Sequence, residues 1–179
     1  GAMPSGTGLG FFQTKHPSRY FDVGIAEEHA ALFACGLATQ GLKPFLTIYS
    51  TFMQRAYDMI IHDIALQNLN VALCMDRAGL SGDDGPTHHG LFDIGYLRHV
   101  PNIVHMQPKD EDEFVDMLWT MSNYNSGPIA VRYPRGAGTG AQPKAEPKLL
   151  EIGKAEVVQH GRDVAIFGLG NMFEVAEEA

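Results

Sequence analysis

With 179 residues, 45% of them hydrophobic and 19% charged, the chain is long enough for one domain with its own core and the start of a second, and it is not a disordered polymer. A formal net charge of −8 argues against a nucleic-acid groove or a polybasic membrane surface, though a small basic pocket for an anionic metabolite remains compatible. No apolar run approaches the roughly 18 residues of a membrane span, and the opening "GAMPSGTG" lacks the charged and apolar regions of a signal peptide.

Taken in order, residues 1–3 read as a cleavage scar ahead of a domain spanning 4–133. In "IAEEHAALFACGLATQG", apolar residues recur at helical spacing and Gly41 supplies a stop. "KPFLTIY" follows as a buried strand. "STFMQRAYDMIIHDIALQN" reads as a helix capped by Ser50 or Thr51, and "NVALCM" as a second buried strand. A short helix over 91–98, a strand "IVHMQ", a helix over 110–123 and a strand "PIAVRY" complete the domain. Asp110 and Glu113 form a capping pattern for the last helix. Cys35 and Cys74 lie inside apolar runs and fit reduced thiols in a cytoplasmic protein.

Near-continuous apolar strands alternating with helices predict an α/β fold, a mostly parallel sheet covered by helices on both faces. Residues 134–147, "PRGAGTGAQPKAEP", are rich in Gly and Pro and read as a linker. Residues 148–179 predict two strands and the first turn of a helix, too little to bury a core alone, and so the truncated start of a further domain.

Ligands of parallel sheets sit off the carboxyl ends of the strands, which directs attention to the loops after Tyr49, Met75 and Tyr133. The second of these, "RAGLSGDDGPTHHGLFD", gathers acids, histidines and glycines. A metal site would draw on Asp83, Asp84, His88 and His89, but no H-x₃-H or C-x₂-C spacing fixes its geometry. His62 and Asp63 read better as a helix-face pair. Neither a G-x₄-G-K-[ST] loop, a G-x-G-x-x-G turn nor a G-x-S-x-G elbow is present. Glu27 opens a helix, where a negative charge is favourable in any case, and Glu28 stands beside it. Arg77 and Arg135 each follow a strand; together they suit a phosphate, and singly either suits a surface ion pair.

The segments "DVGIAEEHA", "IYSTFMQRAYDMIIHDIALQN", "DRAGLSGDDGPTHHGLFDIGYLR" and "AVRYPRG" closely resemble the pyrimidine-binding domain of the 1-deoxy-D-xylulose-5-phosphate synthases, a branch of the thiamine-diphosphate transketolase family. The resemblance runs from Pro4 to about Gly140, and residues 145–179 resemble the start of that family's C-terminal domain. It implies that Glu27 hydrogen-bonds the aminopyrimidine of thiamine diphosphate and sets its tautomer. It also implies that Phe52 stacks on the ring, Arg55 lies beside it and Ile25 supports the bent cofactor. Tyr49, Arg77, Asp84 and Arg135 match residues that hold D-glyceraldehyde 3-phosphate, and His88 an active-site proton-transfer histidine. The family's Mg²⁺ and diphosphate are held by an N-terminal domain, whose G-D-G…N motif is absent from these residues. The expected activity is decarboxylation of pyruvate and transfer of its two-carbon unit to glyceraldehyde 3-phosphate by a homodimer, with the fragment alone inactive. The alternatives are one half of a split transketolase-like enzyme and a non-catalytic interaction domain. Asp83, His89 and Glu28 receive no role.

Overall fold

The computed structural model describes residues 3–179; Gly1 and Ala2, two residues of the expected scar, lie outside the described residues. Among the described residues four strands, β1 (Phe45–Tyr49), β2 (Ala72–Asp76), β3 (Val104–Met106) and β4 (Ile129–Arg132), form one sheet in the order β1-β2-β4-β3. Every pairing is parallel, with Tyr49 opposite Asp76 and Met75 opposite Arg132. Parallel alignment brings the carboxyl ends of β1, β2 and β4 to one edge, and the candidate residues cluster there.

Strand alternation sorts the core into two halves. Leu46, Ile48, Leu73 and Met75 pack on one face against Ala30, Ala31 and Ala34 of helix α2 (Glu27–Thr39) and against Met53, Ile60 and Ile64. Ala72, Cys74, Ile129 and Val131 pack on the other face against Met117 and Met121. Helices therefore cover both faces, as the buried strand runs require. Each fully buried side chain of the size of Ile60, Ile64 or Leu73 contributes about 1.5–3 kcal/mol. A short N-terminal helix, α1 (Gly10–Lys15), buries none of its residues.

Local signals hold where chain chemistry is self-contained. Helix α2 ends with Gly41 at φ +81°; the amide of Leu42 donates to the Leu37 carbonyl (3.2 Å) and that of Gly41 to Ala38 (3.0 Å), a glycine-terminated stop. The expected C-terminal helices of the domain are α5 (Asp93–Leu97) and α6 (Glu111–Asn123). In α6 the Asp110 carboxylate accepts from the Glu113 amide (2.8 Å), and Glu113 Oε2 accepts from the Lys109 amide (2.7 Å). His62, exposed, and Asp63, half-buried, form a helix-face pair at 3.6 Å.

Two expectations change, and the segment read as a linker gains contacts. The helix after β1 is segmented: α3 (Ser50–Met53), a 3₁₀ turn (Gln54–Ala56), α4 (Tyr57–Met59) and a π-helical stretch (Ile60–Ala65). Its N-cap is Tyr49, and Ser50, expected as a cap, is buried with its hydroxyl unpartnered. No strand forms over residues 148–169; Val157, Val164, Ile166 and Phe167 stay exposed. A strand needs an adjacent ladder to satisfy its backbone, and these residues pair with none of the four strands. The expected terminal helix is present as a 3₁₀ turn (Gly170–Met172) and α7 (Phe173–Glu178). Finally, the Gly/Pro-rich segment is tied to α6 by hydrogen bonds. Glu111 holds the Thr139 hydroxyl and the Gly140 amide, and Asp112 and Asp116 hold the Lys144 ammonium. Asp116 also accepts from the Lys148 amide.

Candidate functional site

A cavity of about 320 Å³ opens at the carboxyl edge of the sheet, and Ile25, Glu27, Tyr49, Phe52, Arg55 and His88 line it. Six of the nine candidate residues therefore share one wall. Local chemistry delivers each of them. Asp22 Oδ1 accepts from the Gly24 amide (2.9 Å), and Gly24, at φ +73°, turns the chain so that α2 begins at Glu27. The Glu27 carboxylate thus sits in the first turn of α2, beside the positive end of the helix, and is only 8% exposed. Its Oε1 accepts from Arg55 Nη1 at 2.8 Å, which leaves Oε2 for a ligand. Arg55 in turn lays its guanidinium over the Phe52 ring, 4.8 Å from the centroid.

Phe52, one turn beyond β1, stacks on Tyr49 (5.8 Å between centroids, 18° between planes). His88 meets Phe52 edge-on at 5.2 Å, and its Nδ1 lies 2.9 Å from the Thr87 hydroxyl. Ile25, 76% exposed, forms an apolar shelf at the mouth. A flat heteroaromatic ring finds here a stacking face, an apolar edge and a buried carboxylate oxygen, the features of a small-molecule pocket with few polar anchors.

The other three candidates, Arg77, Asp84 and Arg135, form an adjoining charged cluster. Asp84 is its centre: Oδ2 accepts from Arg77 Nε at 2.9 Å, and Oδ1 from Arg135 Nη1 at 2.6 Å. Desolvation opposes ionisation of Asp84, but the Arg77 hydrogen bond and the charges of Arg135 and Arg77 outweigh it and hold its carboxyl below the usual range. Arg77 itself adopts φ +59°, a left-handed conformation uncommon outside glycine, directly after β2. Its Nη1 donates to Asp76 (2.7 Å) and to the Gly6 carbonyl (3.0 Å), and its guanidinium lies 3.8 Å from the centre of the Tyr49 ring. Burial raises the Asp76 carboxyl above its ordinary value, against the pull of Arg77. Burial likewise raises the Tyr49 phenol, which Arg77 opposes, so Tyr49 is a neutral hydroxyl bridging the two subsites. Two guanidiniums, a carboxylate and a hydroxyl suit an anion that also carries hydroxyl groups.

The loop between Arg77 and Gly90 closes on itself at a narrow neck. Gly79 and Gly90 exchange two backbone hydrogen bonds of 2.8 Å, and the Ser81 hydroxyl donates to the His88 carbonyl at 2.8 Å. A side chain at Gly90 would collide with Ser50 and with the Arg77 carbonyl. His89 turns away from the cavity and accepts from the Ser81 amide through Nδ1 (3.0 Å), while Asp83 is exposed and Glu28 half-buried.

Sequence reasoning missed two contributors. Gly6 packs so closely on the Tyr49 hydroxyl that a side chain there would have to displace the Tyr49 ring, and nothing in "PSGTG" distinguishes it from its neighbours. Arg132 and Asp93 form a buried pair at 2.8 Å beneath the loop. A lone arginine inside the apolar run "PIAVRY" was the available signal for it.

Comparison with known proteins places these residues in context. The family model described as "Transketolase, pyrimidine binding domain" matches residues 1–139. The 1-deoxy-D-xylulose-5-phosphate synthase of Methylacidiphilum infernorum is 65% identical over 177 residues, covering 99% of this chain and 28% of its own length. That of Acidobacterium capsulatum is 63% identical with the same coverage. The chain thus spans little more than a quarter of the length of these relatives. Among solved structures, a split-gene transketolase described as an inactive β4 tetramer superposes with TM-score 0.83 at 28% identity, covering 99% of this chain and 57% of that one. A Pichia stipitis transketolase in complex with sedoheptulose 7-phosphate shares the fold at TM-score 0.58 and 20% identity, covering 63% of this chain and 17% of its own.

Proposed function

The chain belongs to the transketolase pyrimidine-binding domain family, and on that premise we propose that it forms the pyrimidine half of the active site of a 1-deoxy-D-xylulose-5-phosphate synthase. The whole enzyme decarboxylates pyruvate and joins the two-carbon unit to D-glyceraldehyde 3-phosphate. The observation that carries this reading is the shared wall of Glu27, Phe52, Arg55 and His88 next to the Arg77–Asp84–Arg135 cluster. The lining fits the pyrimidine of thiamine diphosphate: Glu27, through its free Oε2, Phe52 and Ile25 are the residues that would hold the ring. Bound there, thiamine diphosphate supplies the carbanion chemistry of the reaction.

The protein's own residues bind, orient and move protons. Glu27 would share a proton with the ring from Oε2, while Arg55 fixes the carboxylate from its other oxygen. Arg77 and Arg135 exchange Asp84 for the acceptor's phosphate, Tyr49 and the released Asp84 take its hydroxyls, and His88 transfers the proton during carbon–carbon bond formation. Mg²⁺ and the diphosphate belong to a domain outside these residues. By the family resemblance the working enzyme is a cytoplasmic homodimer; among the described residues no helix is long and apolar enough to cross a membrane. Within the chain, 4–133 form the pyrimidine domain, 134–147 its connection and 148–179 the start of the next domain. The isolated chain is inactive.

A second reading, one subunit of a split transketolase-like enzyme, draws on the likeness to the split-gene transketolase. One experiment separates the two. The full-length protein, with thiamine diphosphate, Mg²⁺, pyruvate and glyceraldehyde 3-phosphate, releases CO₂ and forms 1-deoxy-D-xylulose 5-phosphate, and Glu27→Gln lowers kcat by about 10²–10⁴-fold. Activity that needs a separate partner chain and moves ketol groups between sugar phosphates, with no decarboxylation, would replace the first reading with the second.

A further inference from the structure

Arg132 lies at the carboxyl end of β4, 7% exposed, and makes three interactions with one guanidinium. Nε meets Asp93 Oδ2 at 2.8 Å, Nη1 meets Gln107 Oε1 at 2.5 Å and Nη2 meets the Gly90 carbonyl at 3.2 Å. Asp93 is 1% exposed and Gln107 8%, so the network is fully inside the protein. Keeping a charged pair dry confers little stability over an apolar pair of the same shape, which turns attention to what its geometry fixes.

What it fixes is the neck of the loop that carries His88. The Gly90 carbonyl receives both Arg132 Nη2 and the Gly79 amide (2.8 Å). Two residues before it, the His88 carbonyl is pinned by Ser81, whose hydroxyl also reaches the Arg77 carbonyl at 3.4 Å. Ser50 and the Arg77 carbonyl fill the space a side chain at Gly90 would need, so no larger residue can take its place at the neck. Arg77, by contrast, is anchored without Arg132, by Asp76 and by the Ala78 amide on the Tyr133 carbonyl (2.9 Å). The Asp93–Arg132 pair therefore acts on one side of the site.

We infer that Arg132, oriented by Asp93 and Gln107, is a positioning residue that sets the placement of His88 through the Gly90 carbonyl. The rigid fork of an arginine is needed because three acceptors lie in three directions; a lysine ammonium keeps the charge and loses the fork. Its kinetic consequence rests on the synthase reading, whereas its structural consequence does not.

The test uses Arg132→Lys and the isosteric Asp93→Asn. In the full-length enzyme each lowers kcat, with Arg132→Lys lower by about 10²-fold, the scale of a small misplacement of a reacting group. KM for glyceraldehyde 3-phosphate stays within about threefold, since the arginine cluster is anchored separately. In the 179-residue chain without ligands, the His88 imidazole resonance shifts or broadens in both variants, and that of the exposed His160 does not. Unchanged His88 resonances and kcat in a folded variant overturn the inference, as does a KM rise that matches the kcat loss. If Arg132→Lys does not fold, Asp93→Asn decides alone. If the wild-type enzyme forms no deoxyxylulose phosphate, the functional reading fails and the resonance measurement still judges the positioning.

Discussion

Replacing Asp116 by Ala should release the segment after Arg135 from helix α6. Asp116 is 1% exposed, and its two oxygens take the Lys144 ammonium (2.6 Å) and the Lys148 amide (2.8 Å). Loss of the second bond leaves a backbone amide without its charged acceptor, a cost of about 1.5–3 kcal/mol. Lys144 keeps Asp112 at 2.6 Å and is screened by solvent, so its share of the loss is minor. Relief from burying a carboxylate offsets part of this, for a net loss of about 2 kcal/mol, or a 4–8 °C lower melting midpoint in a chain of this size. The assay is thermal unfolding with limited trypsin digestion read by mass. Cleavage after Lys144 and Lys148 should accelerate in Asp116→Ala, and Asp116→Asn, which still accepts from the Lys148 amide, should fall between. An unchanged midpoint with unchanged cleavage would show that these bonds do not hold the segment.

Gly6→Ala places a methyl against the Tyr49 hydroxyl and should displace the ring on which Arg77 rests, raising KM for glyceraldehyde 3-phosphate about tenfold with little change in melting midpoint. Equal kinetics would show that the N-terminal segment yields without cost. Burial lowers His105 to about 4 and leaves its Nε2 unpartnered. The unfolded chain therefore binds this proton first, and stability present above pH 6.5 should be lost as pH falls toward 4, on the order of 2–3 kcal/mol. Chemical denaturation at several pH values checks it, and His105→Leu should flatten that part of the profile. Burial pushes Cys74 up to about 12 and Cys35 to about 11, so neither thiol should react with a disulfide reagent at pH 8 until the chain unfolds. Rapid labelling of the native protein would contradict their placement in the core.

Residue order alone determined the helices and strands whose signals are short in range. The apolar runs at Leu46–Ile48 and Ala72–Met75, the stop at Gly41 and the cap at Asp110 each depend on neighbours within a few residues. Alternation of such runs with helices implied a parallel sheet, and the parallel sheet implied which loops to inspect. The family resemblance singled out Glu27, Phe52 and His88, and the folded chain brings all three to one cavity. Tertiary structure decided what these residues touch. Asp84 takes Arg77 and Arg135, residues 7 and 51 positions away, and Arg132 takes Asp93 across 39. Ser50 has the composition of a cap and ends up beneath Gly90, while "GAGTGAQPK" has the composition of a tether and is bonded along α6. The strand-like residues at 157–167 stay exposed and pair with no strand. Periodicity and capping act within a few residues, whereas hydrogen-bond partners and burial are fixed only when the folded chain brings distant segments together.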